Sequence, residues 1–288
     1  MEEFINYMAI RNLEEAEEMY RPNRQRFPRN PMLELSETQF IKMFRLSNEL
    51  FNYVVDRLEP YIRLQRRNSD LSTETKVLIA LNFFATGSYQ TNVGVNKYID
   101  VCQSSVSVCI KEVVNAVTQQ DIYNEWVHFS DTFEALRKTR QGFFEKHGFP
   151  GVVGCIDCTH VANDNNQEHL YINRKFYHSI NVQLICDSDL KILNVNARFP
   201  DAYIWNQSAV QDVMRVMHTA GENDCFLLGD SGYPLRTWLL TPFAQVVDQS
   251  PEAHYNTIHK NTRVKIECCN GVLPISLSSQ TSSPSLYP

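Results

Sequence analysis

The sequence predicts an α/β protein in which an all-helical region precedes a mixed sheet with flanking helices. Apolar residues in the first half recur at helical spacing, as in Val106, Ile110, Val113 and Val117. After Pro150 the apolar residues form short runs typical of strands, interrupted by one amphipathic helix. The elements there follow the order strand, strand, strand, helix, strand, helix.

Local signals predict where the first helices begin and end. Ser36 can cap SETQFIKMF, and Gln39 completes a capping box. Ser72 can cap TETKVLIALNFFAT, which should end at Gly87. These helices open a region that we assign to residues 36–149, after an N-terminal arm at 1–35.

A helix with Ser104 as its expected N-cap carries the Val106 stripe. The short helix and turn before it give a helix-turn-helix outline, which could place this helix on DNA. Any amphipathic helical hairpin produces the same pattern, so both interpretations stay open.

Gly148 and Pro150 predict the end of the helical region and the start of an α/β domain at residues 150–273. VVGCID, SINVQLICD and KILNVNARF are predicted strands, the last two joined by a hairpin turn at Asp187–Asp189. SAVQDVMRVMHTAG is an amphipathic helix, and the continuous apolar run of CFLLGD predicts a central strand. The Ser-rich residues 274–288 are predicted to be a disordered tail.

Composition excludes some classes of protein and leaves others open. No apolar stretch approaches the length of a membrane span, and the acidic N-terminus does not resemble a secretory signal, so we expect an intracellular protein. The eight cysteines lie in apolar runs and are expected to be reduced. Cys155 and Cys158 have a C-x-x-C spacing that could suit redox or zinc chemistry, but no second pair follows, so burial at a strand end is favoured.

The net charge of −6 does not by itself favour nucleic-acid binding. Two groups of arginines could contact phosphate or could equally be solvated: Arg21, Arg24, Arg26 and Arg29 in the arm, and Arg63, Arg66 and Arg67 at the end of a helix-like run.

Four acidic residues follow or end apolar runs in the second half of the chain: Asp157, Asp201, Asp230 and Glu267. Carboxylates at strand ends and on a helix suit the binding of divalent metal against phosphate, and a two-metal site needs three or four of them. Each has an ordinary alternative. Asp157 and Asp230 could be turn residues, Asp201 an N-cap, and Glu267 a solvated helical glutamate.

A cationic group of Arg174, Lys175 and His178 precedes the second strand. It could contact substrate phosphate, or it could form a surface salt bridge. His160, His178 and His259 are possible general acids or bases, although bound metal can activate water without them.

Long ordered motifs carry a family resemblance. GVVGCIDCTH, YINRKFYHSINVQLICD, NVNARFP, LGDSGYPLRTWLLTPF and TRVKIE..NGVL resemble the Harbinger transposase-derived nuclease family, a branch of the PIF/Harbinger DDE transposases. The resemblance runs from about Phe40 to Leu273. It implies an RNase H-like fold, Mg²⁺ or Mn²⁺, and cleavage or strand transfer at DNA phosphodiesters. By motif position it assigns catalysis and metal binding to Asp157, Asp201, Asp230 and Glu267.

The resemblance also implies a Myb-like partner protein that supplies DNA binding and nuclear import, and hence a location in nucleus and cytoplasm. Several positions depart from the family pattern. Pro200 adjoins Asp201 directly, Cys268 replaces an arginine, Val108 replaces a frequent arginine, and the tail after Leu273 is atypical. The sequence therefore predicts a metal-dependent DNA nuclease. The alternatives are a catalytically degenerate relative that binds DNA or a partner, and a metallophosphatase acting on small substrates.

Overall fold

A computed structural model of the chain describes residues 30–63, 70–162, 179–197, 205 and 208–272. The N-terminal arm before residue 30 and the tail after residue 272 lie outside the described residues. In the described part, no helix combines the length and apolar character needed to span a membrane.

The first part of the described chain is helical, as predicted. Its helices are α1 (Pro31–Glu34), α2 (Glu37–Phe44), α3 (Asn48–Leu58), α4 (Thr73–Thr86), α5 (Gln90–Gly94), α6 (Gln103–Val117), α7 (Gln120–Trp126) and α8 (Phe133–His147), with a 3₁₀ turn at Glu59–Tyr61.

The capping predictions for α2 and α4 are confirmed. Ser36 and Gln39 form the reciprocal capping box, and the Ser72 hydroxyl accepts from the Thr75 amide. Gly87 and Gly148 end their helices in the left-handed conformation, where glycine avoids the steric cost of a side chain.

The predicted N-cap of α6 is wrong. The helix begins at Gln103, with Cys102 as the N-cap, so Ser104 lies inside the first turn and its hydroxyl contacts the Cys102 thiol. The reason is tertiary. The Val101 amide donates to the Gly94 carbonyl and closes the turn after α5. The chain is therefore free to become helical from Gln103, two residues before the start expected with Ser104 as the N-cap. The helix-turn-helix outline is present, with α5 and α6 joined by this turn.

A five-stranded mixed sheet follows, with the strand order β3-β2-β1-β4-β5. The strands are β1 (Val152–Ala162), β2 (Ser179–Cys186), β3 (Ile192–Asn196), β4 (Phe226–Leu228) and β5 (Leu239–Leu240); α9 (Ala209–Thr219) lies between β3 and β4, and α10 (Pro251–Val272) follows β5. Strands β1, β2 and β3 are antiparallel neighbours, whereas β4 pairs in parallel with both β1 and β5. This arrangement confirms the predicted RNase H-like fold.

The hairpin between β2 and β3 and the interior position of β4 are also confirmed. One Asp187 carboxylate oxygen accepts from the Asp189 and Lys191 amides and so fixes the turn. Strand β4 is flanked on both sides, which explains its continuous apolar sequence. The two-residue β5 was not predicted, because it becomes a strand only by pairing with β4.

The sheet separates two apolar cores. One face packs against α9 through Val153, Ile156, Leu227 and Met214. The other face packs against α10 through Cys155, Leu184, Leu228 and Ile266. Helix α8 contributes to both cores, with Leu136 on the first and Phe143 on the second. The division of the chain at residues 149/150 stays a prediction.

Candidate functional site

Asp157 and Asp230 lie at the same level of two adjacent parallel strands. Cys155 of β1 is in register with Leu228 of β4, and each aspartate comes two residues later. Cys155 and Leu228 both face the core under α10. Because side chains alternate along a strand, Asp157 is directed to that same face, where α10 covers it. Asp230 follows the end of β4, and its charge is close enough to raise the pKa of the Asp157 carboxyl, so two carboxylates distant in sequence are brought near each other.

The prediction that Asp157 marks the end of its strand is wrong. Strand β1 continues to Ala162, and Asp157 is paired with Leu184 of β2. The extension exists because β2 supplies antiparallel partners beyond the point where β4 has ended. With respect to β4, however, Asp157 does lie past the last paired residue, so one side of it is open to Asp230.

Both oxygens of the Asp157 carboxylate receive donors from α10. Oδ1 lies 3.0 Å from Nη2 of Arg263, and Oδ2 accepts from Nδ2 of Asn270 at 2.8 Å. The Asp157 side chain is only 18% exposed. Burial raises the pKa of its carboxyl, the Arg263 guanidinium opposes that rise, and the nearby Asp230 carboxylate adds to it. The site is thus a place where negative charge is costly and a cation is favoured.

Asp230 begins a tight turn after β4. Its Oδ1 accepts from the Gly232 amide at 3.0 Å, and the residue is half-buried. The turn interpretation and the site interpretation are therefore compatible, because one oxygen fixes the turn while the carboxylate remains beside Asp157.

Glu267 reaches the pair through Arg263. It lies one helical turn after Arg263 on α10, and its Oε1 accepts from Nη1 at 3.1 Å. Its side chain is 57% exposed. Glu267 is thus largely exposed to solvent, as the alternative interpretation held, but the Arg263 guanidinium contacts both Glu267 and Asp157. The last helix passes over Asp157.

Arg263 and Asn270 were not singled out from the sequence. A signal for them exists, because Arg263, Glu267 and Asn270 occur at i, i+4 and i+7 of one helix and share a face. The remaining predicted site residues, Asp201, Arg174, Lys175 and His178, lie outside the described residues.

Two of the predicted histidines, His160 and His259, and the C-x-x-C cysteines lie within the described residues. His259 is buried, with Nε2 3.3 Å from the Leu240 carbonyl, and burial lowers its pKa. His160 is exposed on β1. Cys155 and Cys158 point to opposite faces, the first towards the Thr262 carbonyl and the second to the Tyr233 hydroxyl. Because the two thiols lie on opposite faces of the sheet, they do not bind one zinc ion together.

The residues present suit one oxygen-ligated divalent ion. Mg²⁺ usually takes one or two carboxylates together with water and substrate oxygens, and Asp157 and Asp230 supply two. In residues 30–63, 70–162, 179–197, 205 and 208–272, no three His, Cys, Asp or Glu side chains converge as a metal-binding group. One further oxygen is close by. Oδ1 of Asn270 is buried and has no hydrogen-bond partner among the described residues.

The chain is similar to known proteins over most of its length. Residues 156–274 match the family model described as "DDE superfamily endonuclease". "Putative nuclease HARBI1" of Rattus norvegicus is 31% identical over 249 residues, which is 82% of this chain and 69% of that protein. The Homo sapiens protein of the same name is 31% identical over 242 residues, covering 81% and 67%.

A plant protein is more distantly similar. "Protein ALP1-like" of Arabidopsis thaliana is 24% identical over 246 residues, covering 76% of this chain and 58% of its own length. No solved structure shows significant similarity to the chain. The endonuclease match begins in β1 and spans the sheet and α10, the elements that carry Asp157, Asp230 and Glu267.

Proposed function

The chain belongs to the Harbinger transposase-derived nuclease family, and from that premise we propose that it is a divalent-metal-dependent nuclease acting on DNA phosphodiester bonds. The DDE superfamily endonucleases whose model it matches generally use divalent metals.

One observation carries the proposal. Asp157 of β1 lies beside Asp230, which follows the parallel strand β4 by two residues, and the Asp230 charge adds to the rise in the pKa of the Asp157 carboxyl. A fold that needed these positions only for stability would gain by placing neutral residues there. Paired carboxylates retained at such a cost are typical of functional sites.

The proposed roles follow from these positions. Asp157 and Asp230 would hold Mg²⁺ or Mn²⁺, and Glu267 and Asp201 would complete the acidic set. The bound ion would polarise a phosphate and supply an activated water. Asn270 fixes the orientation of the Asp157 carboxylate by donating to Oδ2. Arg174, Lys175 and His178 are proposed to contact substrate phosphate, which positions the strand without reading its sequence.

A plasmid-nicking assay with Mg²⁺ or Mn²⁺ tests the proposal. Asp157→Asn and Asp230→Asn should each reduce nicking at least about 100-fold, because each removes a charged ligand and leaves the shape nearly unchanged. Asp212→Asn is the matched control, since Asp212 is exposed on α9 across the sheet and forms an ion pair with Arg215. Nicking that survives both site variants at the wild-type rate would refute the assignment.

A second candidate is a relative that binds DNA or a partner without cutting. Both oxygens of Asp157 are engaged by Arg263 and Asn270, and this observation favours it. Retention of a DNA fragment in a gel-shift assay, with no nicking at any Mn²⁺ concentration, would support this candidate over the nuclease.

We also propose a Myb-like partner and a distribution between nucleus and cytoplasm, both from the family resemblance. A separate partner with a basic surface would explain how a chain of net charge −6 is recruited to DNA. Fluorescence microscopy of the tagged chain, with and without a co-expressed Myb-like protein, should show partner-dependent nuclear accumulation. An unchanged distribution would count against it.

A further inference from the structure

A single guanidinium joins two of the acidic residues of the site. Nη2 of Arg263 is 3.0 Å from the Asp157 carboxylate, and Nη1 is 3.1 Å from that of Glu267. We infer that Arg263 is a positioning residue that serves as an internal counter-cation. It holds Asp157 and Glu267 together in the metal-free protein and competes with the divalent ion for them. The inference rests on the proposed function.

The surroundings of Arg263 show that its charge is committed to this site. Its side chain is only 13% exposed, and a cation buried to this degree needs anionic partners. Its Nε is buried and has no hydrogen-bond partner among the described residues. Its two terminal nitrogens contact the carboxylates of Asp157 and Glu267, and both carboxylates belong to the proposed acidic set.

The geometry places the guanidinium and a metal ion in competition. Each carboxylate oxygen has a second lone pair, so an ion can approach Asp157 without a steric clash. If the ion binds Oδ1, the oxygen that contacts Arg263, a Mg²⁺–oxygen distance of about 2.1 Å added to the observed 3.0 Å leaves the two positive groups about 5 Å apart at most. They would repel each other in a partly buried site, so binding the ion weakens the contact of Arg263 with Asp157.

The neighbouring charges act in the same direction. Without Arg263, the Asp157 and Glu267 carboxylates would lose their cation, and their repulsion with each other and with Asp230 would favour uptake of a divalent ion. Asn270 is neutral, so its hydrogen bond to Oδ2 can persist while the ion is bound. Arg263 thus neutralises the carboxylates in the metal-free protein, and the divalent ion neutralises them in the metal-bound protein.

Isothermal titration of the full chain with Mn²⁺ tests this. Arg263→Gln should bind Mn²⁺ about tenfold more tightly than wild type, whereas Arg263→Lys, which keeps the charge, should stay close to wild type. The Mn²⁺-induced rise in melting temperature should likewise be larger for Arg263→Gln. Arg215→Gln is the matched control, because Arg215 is 63% exposed on α9 and pairs with Asp212 away from the site.

A second measurement covers the case in which Arg263→Gln does not fold. In the wild-type chain, the ¹⁵N resonances of the Arg263 side chain, assigned by comparison with Arg263→Lys, should shift when Mg²⁺ is added. Resonances that stay fixed while Mg²⁺ binds would overturn the inference.

The outcomes also separate this inference from the proposed function. If wild type binds Mn²⁺ and Asp157→Asn does not, but Arg263→Gln binds no more tightly, the inference is wrong and the metal site stands. If Asp157→Asn binds Mn²⁺ as tightly as wild type, or if neither protein binds Mn²⁺, both the inference and the proposed function are wrong.

Discussion

Gly154 has close neighbours on both flanking strands, and replacing it with a larger residue should destabilise the protein measurably. It lies in β1 between β2 and β4, three residues before Asp157. A Cβ at Gly154 would lie 2.8 Å from Cγ2 of Ile185 and 3.0 Å from Cδ2 of Leu227. Ordinary carbon contacts begin near about 3.5 Å, so the Ile185 and Leu227 side chains, or the strands that carry them, would have to shift by about half an ångström.

Overpacking of this kind typically costs about 1–3 kcal/mol. The corresponding fall in melting temperature is about 2–4 °C for each kcal/mol in a chain of this size. We therefore expect Gly154→Ala to lower the midpoint of thermal unfolding, followed by circular dichroism, by about 2–12 °C. The matched control is Gly271→Ala on α10, where a Cβ would meet no atom within 4 Å and replacement of a helical glycine should stabilise by about 0.5–1 kcal/mol. A Gly154→Ala protein as stable as wild type would refute the close packing of β2 and β4 around Gly154.

Two further predictions concern the helical region. Serine hydroxyls lower the pKa of the exposed Cys102 thiol to about 7, so its alkylation by iodoacetamide should reach half its maximal rate near pH 7. Burial raises the pKa of the Cys155 thiol to about 12, so this cysteine should stay unmodified. Mass spectrometry of the labelled peptides measures both, and equal labelling would contradict the prediction. Lys76 is 9% exposed and forms an ion pair with Glu112 at 2.8 Å, so Lys76→Met should lower the free energy of unfolding, measured in urea, by about 3 kcal/mol. Arg215→Met breaks an exposed ion pair and should change this free energy by less than about 1 kcal/mol. Comparable losses in the two variants would show that burial of the Lys76 pair is unimportant.

Much of the fold could be predicted because local signals determine it. The capping box at Ser36 and the glycines that end α4 and α8 act through neighbouring residues only, and each functions as the sequence indicated. The apolar runs predicted the three long strands for the same reason. The start of α6 could not be predicted, because the bond from Val101 to Gly94 depends on how the turn after α5 closes.

The proximity of Asp157 and Asp230 could also be predicted from the sequence, but the contacts of Asp157 with Arg263 and Asn270 could not. A strand followed by an aspartate is visible in both CIDC and LLGD, and parallel pairing then brings the two together. The extension of β1 past Asp157 depends on β2, whose register is a tertiary property. Arg263 and Asn270 show a helical spacing in the sequence, yet only the packing of α10 on the sheet shows that they meet Asp157.

Anomalous diffraction from crystals soaked in Mn²⁺ would test the central claim most directly. We predict a manganese peak about 2.1 Å from carboxylate oxygens of both Asp157 and Asp230, with the Arg263 guanidinium displaced from Asp157. An absence of manganese between the two aspartates at saturating Mn²⁺, with Arg263 still bonded to Asp157, would contradict the account.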